Sequence, residues 1–232
     1  MHLQEAAQNL LHLFFPQTCA GCGSDNISHE QLICLSCIHR LPVTDFYTHH
    51  NNVTERMLMG RLRFLHAGSY LFFTQGSVIQ RLLHQFKYKQ RKDIGHYLGR
   101  RMAEAVQASA RFAGIDALVP MPLHPRKEKQ RQFNQSVILC EGMAEQLQLP
   151  VLRDAVIRRS AAGSQTHRNR TGRWENIEGS FVLKQPELLS GRHILLVDDV
   201  ITTGATIEAC GQELLKAPGS SLSICTLACA MK

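Results

Sequence analysis

The sequence predicts an α/β domain with a mostly parallel sheet flanked by helices, plus a small N-terminal module held by four cysteines. Two observations predict the domain. Short apolar runs alternate along the chain with stretches of helical periodicity, the pattern of parallel strands joined by helical crossovers. Residues 194–197 are continuously apolar, as expected of a strand covered on both faces. A third observation predicts the module: Cys19-x-x-Cys22 and Cys34-x-x-Cys37 stand eleven residues apart, so two tight turns aim two thiolate pairs at one point. The expected division is residues 1–45 for an N-terminal helix and the cysteine module, and residues 46–232 for the α/β domain.

The elements follow in order. Leu3, Ala6, Ala7, Leu10, Leu11 and Phe14 form an apolar helical stripe that Pro16 ends. The stripe lacks Lys and Arg to meet an anionic lipid surface, so it is expected to pack on protein. In the module, four thiolates fit a closed zinc site whose role is structural, because no coordination position stays open. In a reducing compartment that reading outranks disulfides, and a redox pair would need no second pair.

Ile79, Leu82, Leu83 and Phe86 predict a helix closing near Lys87 and Tyr88, and a second helix from about Asp93 turns Leu98, Met102, Ala105 and Val106 inward. Residues 117–119 read as the first core strand, stopped by Pro120 and Pro122 and followed by a basic loop. Asn134 caps a helix running to about Leu147, and residues 151–157 read as a strand. The polar, Arg-rich stretch 160–172 reads as a mobile loop. After the strand at 194–197, a helix is expected from about Thr206 to Lys216, then a turn at Pro218 and Gly219 and a strand over 222–227. Cys140, Cys210, Cys225 and Cys229 lack ligand spacing and read as small core residues.

At 232 residues and 44% hydrophobic content the chain can bury a substantial core. No stretch has the length of a membrane span, and the first Lys or Arg is Arg40, so the expected location is cytoplasmic. The net charge of +7 is uneven: residues 81–173 hold 18 basic against 7 acidic side chains. That stretch suits a polyanionic partner such as pyrophosphate, a nucleotide or a nucleic-acid backbone. No Ser-His-Asp, HExxH or Walker pattern is present, which removes the usual hydrolase and NTPase classes.

The chemistry concentrates in residues 193–206, HILLVDDVITTGAT. Asp198 and Asp199 fall at the carboxyl end of the expected strand, where open α/β sheets place their ligands. Paired acids suit the vicinal hydroxyls of a ribose. Thr202, Thr203, Gly204, Ala205 and Thr206 supply hydroxyls, allow close backbone approach and lead into a helix N-terminus, which together fit a phosphate monoester. An ordinary Thr-capped turn is the plainer alternative. Candidate cations for a polyanionic ligand are Lys87 and Lys89 in KYK, Arg126, Lys127 and Arg131 after the double proline, and Arg168, Arg170 and Arg173 in the mobile loop, which could close over the site. His124 and His167 lie near these segments as possible proton carriers, although twelve histidines spread without pattern make exposed histidine the simpler reading.

Residues 193–206 resemble the phosphoribosyl pyrophosphate loop of type I phosphoribosyltransferases, and the whole chain resembles the ComF/GntX-like competence-associated branch. PMPLHPRKEKQRQFNQS (120–136) is similar to that branch's Pro-x-Pro-Leu stretch followed by R-G-F-N-Q, with Gln132 where the family has glycine. In QTHRNRTGRWENIEGSF (165–181), Gln165, Thr166, Arg173, Asn176, Gly179 and Phe181 match, while Gly172 replaces an acidic residue. The resemblance implies that Asp198 and Asp199 hold ribose hydroxyls and that loop 202–206 holds the terminal phosphate. It implies magnesium with the phosphoribosyl pyrophosphate, and an acceptor hood within residues 40–75. It also implies a setting of DNA uptake or utilisation, with single-stranded DNA and competence proteins as possible partners. Two functions stand: a phosphoribosyl transferase, or a DNA-handling factor in which the same site only regulates.

Overall fold

A computed structural model describes residues 17–28, 31–159 and 180–230. After the cysteine module, whose second pair lies at the start of a short helix α1 (Leu35–His39), come α2 (Val53–Leu58), β1 (Ala67–Phe73), α3 (Val78–Tyr88) and α4 (Lys92–Gln107). They are followed by β2 (Ala117–Pro120), α5 (Pro125–Arg131), α6 (Gln135–Leu147), β3 (Val156–Arg158), β4 (Phe181–Leu183), β5 (His193–Ile201), α7 (Ala205–Leu214) and β6 (Ser221–Ala230). The main sheet runs β1-β6-β5-β2 and every pair in it is parallel. β3 and β4 form a separate antiparallel pair, Val156 opposite Leu183. The fold is therefore α/β with a parallel sheet between helices, as the alternation predicts.

Period-two alternation divides the core between the faces. Leu195 and Val197 of β5 join Ile79, Leu82, Leu98 and Leu139 of α3, α4 and α6 on one side. Ile194 and Leu196 join Leu58, Ile207, Cys210 and Leu214 of α2 and α7 on the other. The strand at 194–197, both helices at 78–107 and the Asn134 cap stand where the sequence places them. The Asn134 side chain accepts the Ser136 amide at 3.0 Å. Cys140, Cys210, Cys225 and Cys229 are all buried.

Three expectations are corrected. The first core strand is β1, not the segment at 117–119, so residues 67–73 belong to the sheet and not to a hood. Its polar Ser69 disguises it: that side chain is fully buried and satisfied by Thr54 Oγ1 at 2.7 Å and Thr226 Oγ1 at 2.6 Å. Residues 151–157 are not one strand, because a turn at Arg153 and Asp154 leaves Val151 bridging Leu118 alone while Val156 pairs with β4. The basic loop after β2 is helix α5, started by Pro125 in its first turn and capped by His124, whose Nδ1 accepts the Arg126 amide at 3.2 Å. His124 is thus engaged in capping. The N-terminal stripe and the expected mobile loop, with His167, Arg168, Arg170 and Arg173, lie outside the described residues.

Candidate functional site

β5 carries Asp198 and Asp199 past the buried run to the carboxyl edge of the sheet. Beside them β2 ends and turns away, its exit fixed by Met121 N donating to Val197 O at 2.8 Å and Asn134 Nδ2 donating to Met121 O at 3.0 Å. α6 then starts with its first residues against β5, and Ser136 Oγ donates to Asp198 Oδ1 at 3.2 Å. From the other side the last turn of α3 brings Lys87 Nζ to 2.7 Å from Asp199 Oδ2, both side chains mostly buried. Three elements distant in sequence thus converge on the acidic pair.

The two acids are not equivalent. Burial and the adjacent Asp199 push the Asp198 carboxyl up to about 7, against the Asp199 amide (2.8 Å from Oδ1), Lys87 and Ser136, which favour its charged form. Asp199 instead faces an ammonium. Arg158 on β3, seated over the Phe181 ring at 5.2 Å, is a further cation whose charge reaches Asp198; burial lowers its pKa and Asp198 opposes that shift.

Loop 202–206 closes a small cup of about 50 Å³ between β5 and α7, floored by Asp198 and Ile201. Gly204 takes φ +76°, the left-handed conformation that lets the chain turn from strand into helix, and a Cβ there would strike Leu58 of α2 at 2.8 Å. No side chain caps α7, as none caps α1 or α4, whereas Asn52, Ser77, His124 and Asn134 cap α2, α3, α5 and α6. Its first amides face the cup with a partial positive charge. The loop is braced from behind by Arg61, whose Nη1 donates to Thr203 O at 2.7 Å while Nη2 pairs with Glu208. A larger cavity of about 460 Å³ opens on the far side of Asp199, lined by Phe73, Leu83, His84, Lys87, Tyr88 and Val200.

Of the sequence candidates, Asp198, Asp199, Lys87 and loop 202–206 come together. Lys89 is the exposed C-cap of α3. Arg126 and Lys127 are exposed on α5, and Arg131 lies 5.7 Å from the Tyr88 ring and donates to Gln135 Oε1 at 2.7 Å. Sequence reasoning missed Ser136, Arg61 and Arg158. Ser136 lay inside the quoted FNQS stretch, but neither arginine carries a local signal.

The four cysteines form a separate centre. Their sulfurs all lie within 4.8 Å of one another, and Cys22 and Cys34 are 3.8 Å apart. A tetrahedron with Zn–S bonds of about 2.3 Å has edges of about 3.8 Å, so the donor set fits zinc. Burial raises the Cys19 pKa, but the amides of Cys34, Cys22 and Gly21 outweigh it and bring that thiol down to about 6. Burial and the neighbouring thiols push Cys37 up. A second group, His50, Glu55 and His66, also gathers within 4.8 Å. There Arg111 already pairs with Glu55 and donates to His66 Nδ1 at 3.3 Å, so a guanidinium fills the cation's role.

Residues 134–232 match the phosphoribosyl transferase domain. The chain is 33% identical over 146 residues to DNA utilization protein YhgH of Escherichia coli strain K12, covering 62% of this chain and 63% of that one. It is 29% identical over 139 residues to Competence protein F of Haemophilus influenzae, covering 58% and 61%. The chain thus spans less than two thirds of the length of these relatives. Among solved structures it is similar to glutamine phosphoribosylpyrophosphate amidotransferase from B. subtilis complexed with ADP and GMP, at 16% identity and TM-score 0.43, over 62% of this chain and 30% of that one. The matched stretch marks a phosphoribosyltransferase-type domain over residues 134–232. Beyond that domain, the chain is similar to the DNA utilization and competence proteins named above.

Proposed function

We propose that the protein binds phosphoribosyl pyrophosphate with magnesium and transfers its phosphoribosyl group to a nitrogenous acceptor, in the setting of DNA utilisation or competence that the names of its relatives carry. The observation that carries this reading is the acidic pair at the mouth of an uncapped helix N-terminus, with Lys87 on one acid and a 460 Å³ cavity beside it. In this reading the ribose hydroxyls donate to Asp198 and Asp199, and the loop hydroxyls and α7 amides hold the terminal phosphate. Magnesium bound with the ligand would supply charge neutralisation to the leaving pyrophosphate. Zinc, held by Cys19, Cys22, Cys34 and Cys37, has a structural part only.

The acceptor's lone pair forms a bond to the anomeric carbon as the bond to the pyrophosphate oxygen breaks, and that pair of electrons leaves with pyrophosphate. The acceptor's proton passes to solvent. Charge growing on the leaving group is met by cations, for which Lys87, Lys89, Arg126, Lys127, Arg131, Arg170 and Arg173 are the candidates. A second reading makes the chain a single-stranded DNA-handling factor with a regulatory sugar-phosphate site. The relatives' names and the basic stretch 81–173 favour it.

Calorimetry with zinc-loaded protein, magnesium and phosphoribosyl pyrophosphate tests the shared core. Binding weakened at least about tenfold by Asp198→Asn and Asp199→Asn is expected, the cost of charge-assisted hydrogen bonds to the ribose. Absence of any uptake at millimolar ligand would remove both readings of the site. Turnover with a panel of bases then favours the transferase, and salt-steep single-strand binding that survives both substitutions favours the handling factor.

A further inference from the structure

α3 joins the two centres of this molecule, one on each of its faces. Val78, Arg81 and Gln85 are spaced three and four residues apart and share a stripe. That stripe lies on the cysteine module: Arg81 Nε donates to Gly21 O, and Gln85 Nε2 donates to Ala20 O at 2.6 Å. The approach is flush, since a Cβ on Gly21 would meet Cys37 Sγ at 2.8 Å and Val78 Cγ1 at 3.1 Å. Gln80, Leu83, His84 and Lys87 make the opposite stripe, which lines the cavity beside Asp199 and ends in the Lys87–Asp199 pair. Ala20 and Gly21 are the residues inside the first Cys-x-x-Cys turn. The carbonyls that α3 reads are therefore those whose direction depends on all four thiolates being drawn to one point.

We infer that Arg81 and Gln85 are positioning residues that couple the metal state of the cysteine module to the sugar-phosphate site through α3. This rests on the function proposed above for the ligand, while the coupling itself rests on the helix. Without metal, nothing draws the four sulfurs to one point and the turn relaxes. Ile79, Leu82 and Phe86 remain in the core and keep α3 folded. The consequence is a shift of the helix and of Lys87, not loss of the domain.

The test uses the full zinc-loaded chain and an Arg81→Ala/Gln85→Ala double variant that leaves every thiol in place. The expected result is a variant with full zinc content and a folded melt, lower amide-exchange protection over residues 78–88, and phosphoribosyl pyrophosphate affinity down about tenfold, within the usual range of coupling between sites. By reciprocity, the same ligand should slow zinc transfer to a chelator in the wild-type chain and not in the variant. Equal slowing in both, or wild-type affinity in the variant, overturns the inference. If the wild-type chain binds no phosphoribosyl pyrophosphate, the proposed function fails and exchange alone decides. Zinc removal must then lower protection over 78–88 while 92–107 stays protected. Unchanged protection at 78–88, or loss across the whole chain, overturns the inference as well.

Discussion

Gln132 closes α5 in the left-handed region, φ +67° and ψ 1°, donating its amide to Glu128 O at 2.6 Å. The family resemblance puts glycine there, and the backbone geometry survives the replacement at a conformational cost of about 1–2 kcal/mol, partly offset by the greater chain entropy of glycine when unfolded. Gln132→Gly is expected to stabilise the protein by about 0.5 kcal/mol, read as a melting temperature about 1–2 °C higher. A lower melting temperature would mean that the Gln132 side chain contributes more than its conformation costs. Asp198 makes the opposite kind of prediction. Its folded carboxyl holds a proton up to about pH 7, whereas the unfolded chain gives it up near pH 4. Between those values the folded state binds the extra proton, so this residue's contribution to stability is present at low pH and is lost as pH rises through 7. Asp198→Asn removes that dependence. Denaturation midpoints should favour the variant by about 1–3 kcal/mol at pH 8 and converge with wild type near pH 4; parallel curves would show that Asp198 ionises at no cost.

At the scale of elements, the site depends on α6, whose first turn brings Ser136 to Asp198, and α6 is seated on α4 by glycine. A Cβ on Gly99 would collide with the Leu139 carbonyl oxygen, and one on Gly142 with the His96 carbonyl oxygen. Backbone stands against backbone, so no side-chain rearrangement relieves the clash. Gly99→Ala is expected to cost about 2 kcal/mol or more and to lower the melting temperature by about 4–8 °C. A variant as stable as wild type would show that the helices separate freely. These elements also mark what the sequence can express. β5 is legible because both its faces are covered and nothing interrupts Ile194, Leu195, Leu196 and Val197. α3, α4 and α6 are legible from their apolar spacing and, for α6, from Asn134. β1 is hidden because Ser69 obtains partners across the sheet that no local window contains. α5 is hidden because seven residues, five of them charged or glutamine after Pro125 and Arg126, bury nothing and so have no apolar period.

At the scale of the molecule, the acidic pair, the cup of loop 202–206 and Lys87 were legible because each sits in a short run whose chemistry is complete within it. Arg61 and Arg158 were not, since their relevance arises only when segments far apart in sequence are brought to one edge. The same distribution of parts bears on the stretch that matches the phosphoribosyl transferase domain. Residues 134–232 contain β5 and β6, the two inner strands, but neither flanking strand, and they omit Lys87 and Arg61. A fragment cut at residue 134 would expose two long apolar ribbons with unpaired amides and carbonyls on both sides, the arrangement that recruits other chains. The catalytic-looking half is in this sense not portable: expressed alone it should be found in the insoluble fraction, and grafting experiments need the residues from the cysteine turns onward.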